Sequence, residues 1–205
     1  MLVFDIETKA NPEALIYLEQ PSAPGNYKDP QKIADYIKNE TEKQISRATL
    51  DPDYGMVAAI GIHTEDGITE FHVVNEEMSE TDVIKWFWLQ VVKYGPELCG
   101  YNIIGFDLPF LLRRSFYLDI VVPTGITLRK YQTSPMIDLM GILYNWSPDC
   151  KGLKQVCKLA GIENNFPEWD GSLVAEMTEE ELGMYLLNDI RMTYRLYLKM
   201  KGIYL

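Results

Sequence analysis

The chain has 205 residues, of which 47% are hydrophobic and 24% charged, a length and balance that suit one soluble domain with a sizeable core. Its formal net charge of −11 argues against a protein held on nucleic acid by a broad basic surface, though not against an enzyme that meets nucleic acid at one metal-loaded cleft. No apolar run approaches a membrane span, no signal peptide is visible, and Cys99, Cys150 and Cys157 form no CxxC pair, so the expectation is a cytoplasmic protein with reduced thiols and no membrane partner.

Leu2, Val3, Phe4 and Ile6 predict a buried first strand. The segment from about 9 to 53 then reads as an insertion: a short helix over 12–19, a turn-rich break at 21–25, and a polar helix over 29–50 with Ile33, Tyr36, Ile37 and Ile45 as a thin apolar stripe. Met56 to Ile62 and Ile68 to Val74 predict two strands joined by a hairpin at 65–67. Ser79 and Asp82 have capping-box spacing before a buried helix reaching Tyr94, stopped by Gly95-Pro96. A short strand over 97–101 and a helix over 108–118, with Pro109 in its first turn, follow. The middle is less regular: apolar residues surround Asp138, and 152–160 reads as a short helix. In the last helix Thr178 and Glu181 form a capping box and Gly202 is expected to close the far end. This order predicts an α/β fold: a mixed sheet with helices on both faces, in a single domain over 1–205.

Acids stand where strands and helices do not ordinarily want them. Asp5 and Glu7 are two residues apart on an apolar strand, so both leave the same face. Two like charges pushed together there call for a hard, oxygen-seeking divalent cation. Asp107 sits where a strand ends and a helix begins; taken alone it is most simply an N-cap. Tyr185 and Asp189 are i, i+4 on the last helix, where taken alone they are a packing aromatic and a solvated acid. Arg113 and Arg114, and the helical face of Lys151, Lys154 and Lys158, read as solvated cations.

Taken in order, Phe-Asp-Ile-Glu-Thr at 4–8, GYNIIGFDLPFLLRR at 100–114 and YLLNDIRMTYRLY at 185–197 resemble the three motifs of the DEDD-type 3′–5′ exonucleases, in the subclass with Tyr in the third motif. The resemblance is nearest to the proofreading exonuclease domain of B-family DNA polymerases. It implies an RNase H-like fold and two divalent ions, Mg²⁺ or Mn²⁺, held by Asp5, Glu7, Asp107 and Asp189. It gives Asp5 a bridging role, places Glu7 and Asp189 with the ion that carries the attacking water, and gives Asp107 the second ion, largely through water. It makes Tyr185 the residue that orients that water. Thr8, Asn102 and Phe106 match substrate-meeting positions, although Phe106 equally suits helix packing. The implied activity is hydrolysis of DNA from a 3′ end, expected to be single-stranded, with release of nucleoside 5′-monophosphates. An exoribonuclease of the same fold and a non-catalytic binding module are the alternatives. The insertion departs from the family pattern. So does the lack of any segment resembling a polymerase palm, and the expectation is a stand-alone enzyme or one working with a separately encoded polymerase.

Overall fold

Apolar side chains at successive positions of the first strand commit it to two buried faces. In the computed structural model, which describes residues 1–205, the order of elements is β1 (Leu2–Ala10), α1 (Pro12–Leu15), α2 (Pro30–Ala48), β2 (Gly55–Thr64), β3 (Thr69–Val73), α3 (Glu80–Tyr94), β4 (Leu98–Gly100), α4 (Asp107–Tyr117), β5 (Met136–Asp138), α5 (Leu139–Leu143), α6 (Leu153–Leu159), one 3₁₀ turn (Gly171–Leu173) and α7 (Glu179–Met200). The five strands form one sheet ordered β3-β2-β1-β4-β5, with β1 in the middle. β2 and β3 are antiparallel, and the β1–β4 and β4–β5 pairs are parallel, with Val3 beside Cys99 and Cys99 beside Ile137. The sheet is therefore mixed, as the order of elements predicts.

The pleat sorts the core. Leu2, Phe4 and Ile6 point to one face, where Ile84 and Phe87 of α3 and Leu108 and Leu111 of α4 cover them. Val3 points to the other, with Ala59, Cys99 and Ile137, under Val156 of α6 and Leu182, Leu186 and Ile190 of α7. Helices thus lie on both faces. Asp5 and Glu7 fall on the Val3 side by the same alternation, which turns them toward α7.

α7 can approach β2 because residue 61 has no side chain. A Cβ there would meet Ile190 Cδ1 at 2.5 Å and Leu186 Cγ at 3.0 Å. The helix start is held by the Thr178–Glu181 capping box, with both reciprocal hydrogen bonds present. On the opposite face the Ser79–Asp82 box starts α3.

Three local expectations are corrected. Residues 136–138, left irregular by a pattern too short to show a period, form edge strand β5 and lead directly into α5. Gly202 does not provide a left-handed cap; α7 ends at Met200 and Lys201 caps it, its amide donating to the Tyr197 carbonyl. Arg114 is not a solvated cation: it is 5% exposed, and its Nε and Nη2 donate to Glu80 Oε1 and Oε2 at 2.9 and 2.8 Å. Glu80 Oε1 also accepts the Val57 amide at 2.8 Å. Removing one member of such a buried pair strands a charge, at a cost of about 3–5 kcal/mol.

The residues group into two compact units, Met1–Glu7 with Val57–Leu205, and Thr8–Met56. In the second, Asn11 caps α1 and Asp29 caps α2, each through a side-chain oxygen, and both helices have Pro in the first turn. Only Ala48 of α2 is buried; Ile33, Tyr36 and Ile37 are half-buried and Ile45 is exposed. No helix is long and apolar enough to cross a membrane.

The packing at residue 61 gives a direct check. Gly61→Val overpacks a closed contact and should cost about 1–3 kcal/mol in urea unfolding. Gly183→Ala should cost far less. Its methyl would meet the Phe71 ring, but Phe71 is 37% exposed and free to swing outward, and Ala in a helix is favoured over Gly by about 1 kcal/mol. Equal losses in both variants would contradict this account of how α7 seats.

Candidate active site

The chain brings Asp5, Glu7 and Asp189 together although 184 positions separate the first from the last. One carboxylate oxygen from each lies within 4.8 Å of those of the other two. β1 supplies two because its side chains repeat every second residue. α7 supplies the third because Leu182, Leu186 and Ile190 bury its neighbouring stripe and leave Asp189 at the edge, facing the strand. Glu7 is 9% exposed and Asp189 8%, while Asp5 is half-buried.

Asp107 stands beside these three rather than among them. It is the first residue of α4, not its cap, and the helix start has no side-chain cap hydrogen bond. Its Oδ1 instead accepts the Ile6 amide at 3.3 Å, fastening α4 to β1 between the two strand acids. Its charge acts on both Asp5 and Glu7.

Burial raises the pKa of all four carboxyls. Asp5 is held well above the usual range by burial and then by the charges of Asp107, Glu7 and Asp189; Glu7 by burial and then by Asp189 and Asp107. Burial pushes Asp107 up to about 7, restrained by its own amide and that of Ile6. Burial pushes Asp189 up to about 6, restrained by the Lys154 charge and by hydrogen bonds from Asn188 and Tyr185. All-oxygen donors this close, desolvated and mutually repelling, fit a hard divalent cation.

Tyr185 is 4% exposed. Burial, then the charges of Glu7, Asp189, Asp5 and Asp170, pushes its phenol far up, so it keeps its proton. Lys154 Nζ lies 4.5 Å from the centre of the Tyr185 ring and 3.4 Å from its hydroxyl oxygen, and also donates to the Trp169 carbonyl. The sequence reading of Lys154 as a solvated cation is thereby overturned: α6 turns it inward, while Lys151 and Lys158 are exposed. Nothing in the local pattern separates it from those two; the contact exists only once α6 packs on α7.

Of the substrate-meeting candidates, Asn102 and Phe106 share one loop, where the Phe106 amide donates to the Asn102 carbonyl at 2.9 Å. Asn102 has φ +68 and its side-chain oxygen lies where a Cβ at Gly105 would be. Phe106 is half-buried against the core, its ring centroid 5.6 Å from that of Phe110. Thr8 belongs to the Thr8–Met56 unit, and its hydroxyl donates to the Thr49 carbonyl at 2.6 Å.

Two supporting residues went unrecognised in the sequence. Asp138, 2% exposed, accepts the amides of Asn102, Ile104 and Gly141, each at 3.0 Å. It caps α5 and pins the loop carrying Asn102 through Phe106. An Asp directly before an apolar helical run is the signal that marks it. Asn188, 4% exposed, donates to Asn164 Oδ1 at 2.9 Å and Asp189 Oδ1 at 3.3 Å, and accepts the Asn165 amide. It braces Asp189 against the loop after α6.

A mixed five-stranded sheet ordered β3-β2-β1-β4-β5 with helices on both faces is consistent with an RNase H-like exonuclease fold. Comparison with known proteins agrees. The family B DNA polymerase of the hyperthermophilic archaeon Pyrobaculum calidifontis has a similar structure, with a TM-score of 0.64 and 21% identity over 98% of this chain. The chain spans 24% of the length of that polymerase. Curated proteins give no significant match. Residues 50–204, well over half of the chain, match the profile of a family described as a predicted 3′-5′ exonuclease related to the exonuclease domain of PolB, and the chain belongs to that family. The matched span includes Asp107, Tyr185 and Asp189, while Asp5 and Glu7 lie before it.

The raised carboxyls set a pH dependence. Each contributes stability that is fully present below the unfolded carboxylate range near pH 4 and is lost as pH rises through the folded value. For Asp189 and Asp107 those values are about 6 and about 7. In chelator, the melting temperature should therefore fall between pH 5 and pH 8. Added Mn²⁺ should raise it more at pH 8, where protons no longer compete for the oxygens. An equal gain at both pH values would place the ion elsewhere.

Proposed function

We propose that the chain is a metal-dependent 3′–5′ exonuclease that removes nucleoside 5′-monophosphates from the 3′ end of single-stranded DNA. The observation that carries this reading is the convergence of Asp5, Glu7 and Asp189 within 4.8 Å in a member of a 3′-5′ exonuclease family. We take residues 1–205 as one exonuclease domain with 9–53 inserted. Its partner is a nucleic-acid strand, and a DNA polymerase is the protein whose products it would proofread. Free Cys99 and Cys157, both buried, suit a reducing cytoplasm.

In this reading Asp5, Glu7, Asp107 and Asp189 would hold two divalent ions, Mg²⁺ or Mn²⁺. Such a pair, when bound, supplies positive charge to both the attacking and the leaving oxygen of an in-line displacement. The chain's own groups do the rest. Tyr185 retains its proton and its hydroxyl donates to Asp189; with a water seated there, the same hydroxyl would turn to donate to that water and orient it, as in the Tyr subclass. Lys154, seated on the Tyr185 ring, fixes that hydroxyl and offsets the carboxylate charge. Asn102 and Phe106 meet the terminal nucleotide, Phe106 by sequence-tolerant stacking, and Thr8 lies near the 3′ terminus. Water adds to phosphorus and loses a proton, the bond from phosphorus to the 3′ oxygen of the preceding nucleotide breaks, and that oxygen takes up a proton. The products are a 5′-monophosphate and a strand shorter by one nucleotide.

The test uses 5′-labelled DNA and RNA single strands with Mn²⁺ or chelator. A ladder shortening from the 3′ end, lost with chelator and in Asp5→Ala, is expected; undiminished activity in Asp5→Ala would refute the site. Tyr185→Phe should lower kcat by about 10²-fold, the scale of one positioned proton-handling group, while Mn²⁺ affinity by calorimetry stays near that of the native protein. Loss of Mn²⁺ affinity would give Tyr185 a different role.

A further inference from the structure

The Thr8–Met56 unit lies almost wholly outside the residues matched to the exonuclease family, so the family says nothing of what this unit does. Around the start of α2 it carries an open cavity of about 650 Å³, within the size range of ligand clefts. Two aromatic rings line it. Tyr27, in the loop before α2, and Tyr36, on the helix, stand 5.6 Å apart with 74° between their planes. This edge-to-face arrangement steadies both rings and still leaves Tyr27 37% exposed. Lys28 and Lys32 share the lining with the amides of Asn26 and Asn39. The two acids there are engaged locally: Asp29 Oδ1 accepts the Gln31 amide at 2.9 Å, and Asp35 Oδ1 accepts Gln31 Nε2 at 3.0 Å. Both lysines are exposed, and Lys28 reaches the Gly25 carbonyl at 3.4 Å.

We propose that this cavity is a second nucleic-acid site, which takes a base of a single strand against Tyr27 and Tyr36 and its flanking phosphates on Lys28 and Lys32. Each part of the lining answers one part of that ligand. A tyrosine face accepts any base, an ammonium is a point charge suited to phosphate, and Asn amides can both donate to and accept from base edges. A chain with a net charge of −11 repels a polyanion over most of its surface, so a strand needs local cations; here Lys28 and Lys32 offset Asp29 and Asp35 and leave the lining near neutral. The choice of nucleic acid as ligand rests on the exonuclease reading above. The site would hold a strand without reading its sequence.

The experiment measures binding apart from cleavage. In chelator, a fluorescein-labelled oligothymidylate is titrated with the native protein and with Tyr27→Ser, Lys32→Glu and Lys38→Glu, following fluorescence anisotropy at several salt concentrations. All three positions are exposed, and Lys38→Glu makes the same charge change on α2 outside the cavity. Tyr27→Ser should weaken binding about tenfold, the scale of one stacked base. Lys32→Glu should weaken it and reduce the slope of log K against log salt by about 0.7, one phosphate contact on a single strand. Native affinity in both variants, or equal weakening by Lys32→Glu and Lys38→Glu, would overturn the site, as would no binding by the native protein. Strand shortening by the native protein with Mn²⁺ is followed in parallel. Cleavage together with binding indifferent to Tyr27 and Lys32 removes this site and keeps the exonuclease reading. Binding that depends on both residues, with no cleavage, keeps the site and removes that reading.

Discussion

The structure turns on the repulsion among carboxylates gathered at one end of the sheet. Two unit charges about 4 Å apart repel by about 4 kcal/mol even at the high effective dielectric of a protein surface. Asp5, Glu7 and Asp189 each bring a carboxylate oxygen within 4.8 Å of the other two, and Asp107 adds its charge to the same place. A fold that only had to be stable would separate these groups or neutralise them with a lysine or arginine. This one keeps them desolvated and answers them incompletely, with Lys154 and a few amides. The remaining imbalance holds the carboxyl pKa values up, and in the function proposed above it is what a hard cation would relieve.

The scaffold is arranged to sustain that imbalance. β1 is the central strand and pairs with β4 at Leu2 and Val3; Asp5 and Glu7 lie just beyond that pairing, where the Ile6 amide between them is met by Asp107. α7 carries Asp189 and Tyr185 on a helix of 22 residues, seated by Leu186 and Ile190 over Gly61 and braced beside Asp189 by Asn188. α4 is fastened to β1 through Asp107 itself, and on the far face the Glu80–Arg114 pair ties it to α3. Asp138 holds the loop between β4 and α4 with two hydrogen bonds and caps α5 with a third. Side chains on strands and long helices move less than those on loops, which suits a site whose ligands must hold their spacing against mutual repulsion.

Much of the core was legible because its periodicities are strong. The first strand, the hairpin of β2 and β3, both capping boxes and the face of α7 follow from alternation and cap chemistry alone. β5 was not legible, since three residues show no period and its strand character comes from pairing with β4. Arg114 and Lys154 read as solvated cations, because a cation's partner is set by a packing contact and not by its sequence neighbours. Arg114 meets Glu80, 34 residues away, and Lys154 meets Tyr185, 31 away.

The amino-acid sequence by itself determined which acids are anomalous, that Asp5 and Glu7 share a face, and that Tyr185 and Asp189 share another. These are consequences of strand and helix repeats, which are local. Only the tertiary structure decided that the two faces are the same place, that Asp107 serves the β1 backbone instead of capping its own helix, and that Lys154 leaves solvent for Tyr185. Those outcomes depend on how α6 and α7 settle on the sheet. The sum of many weak contacts and one missing side chain at Gly61 sets that arrangement, and no single segment carries it.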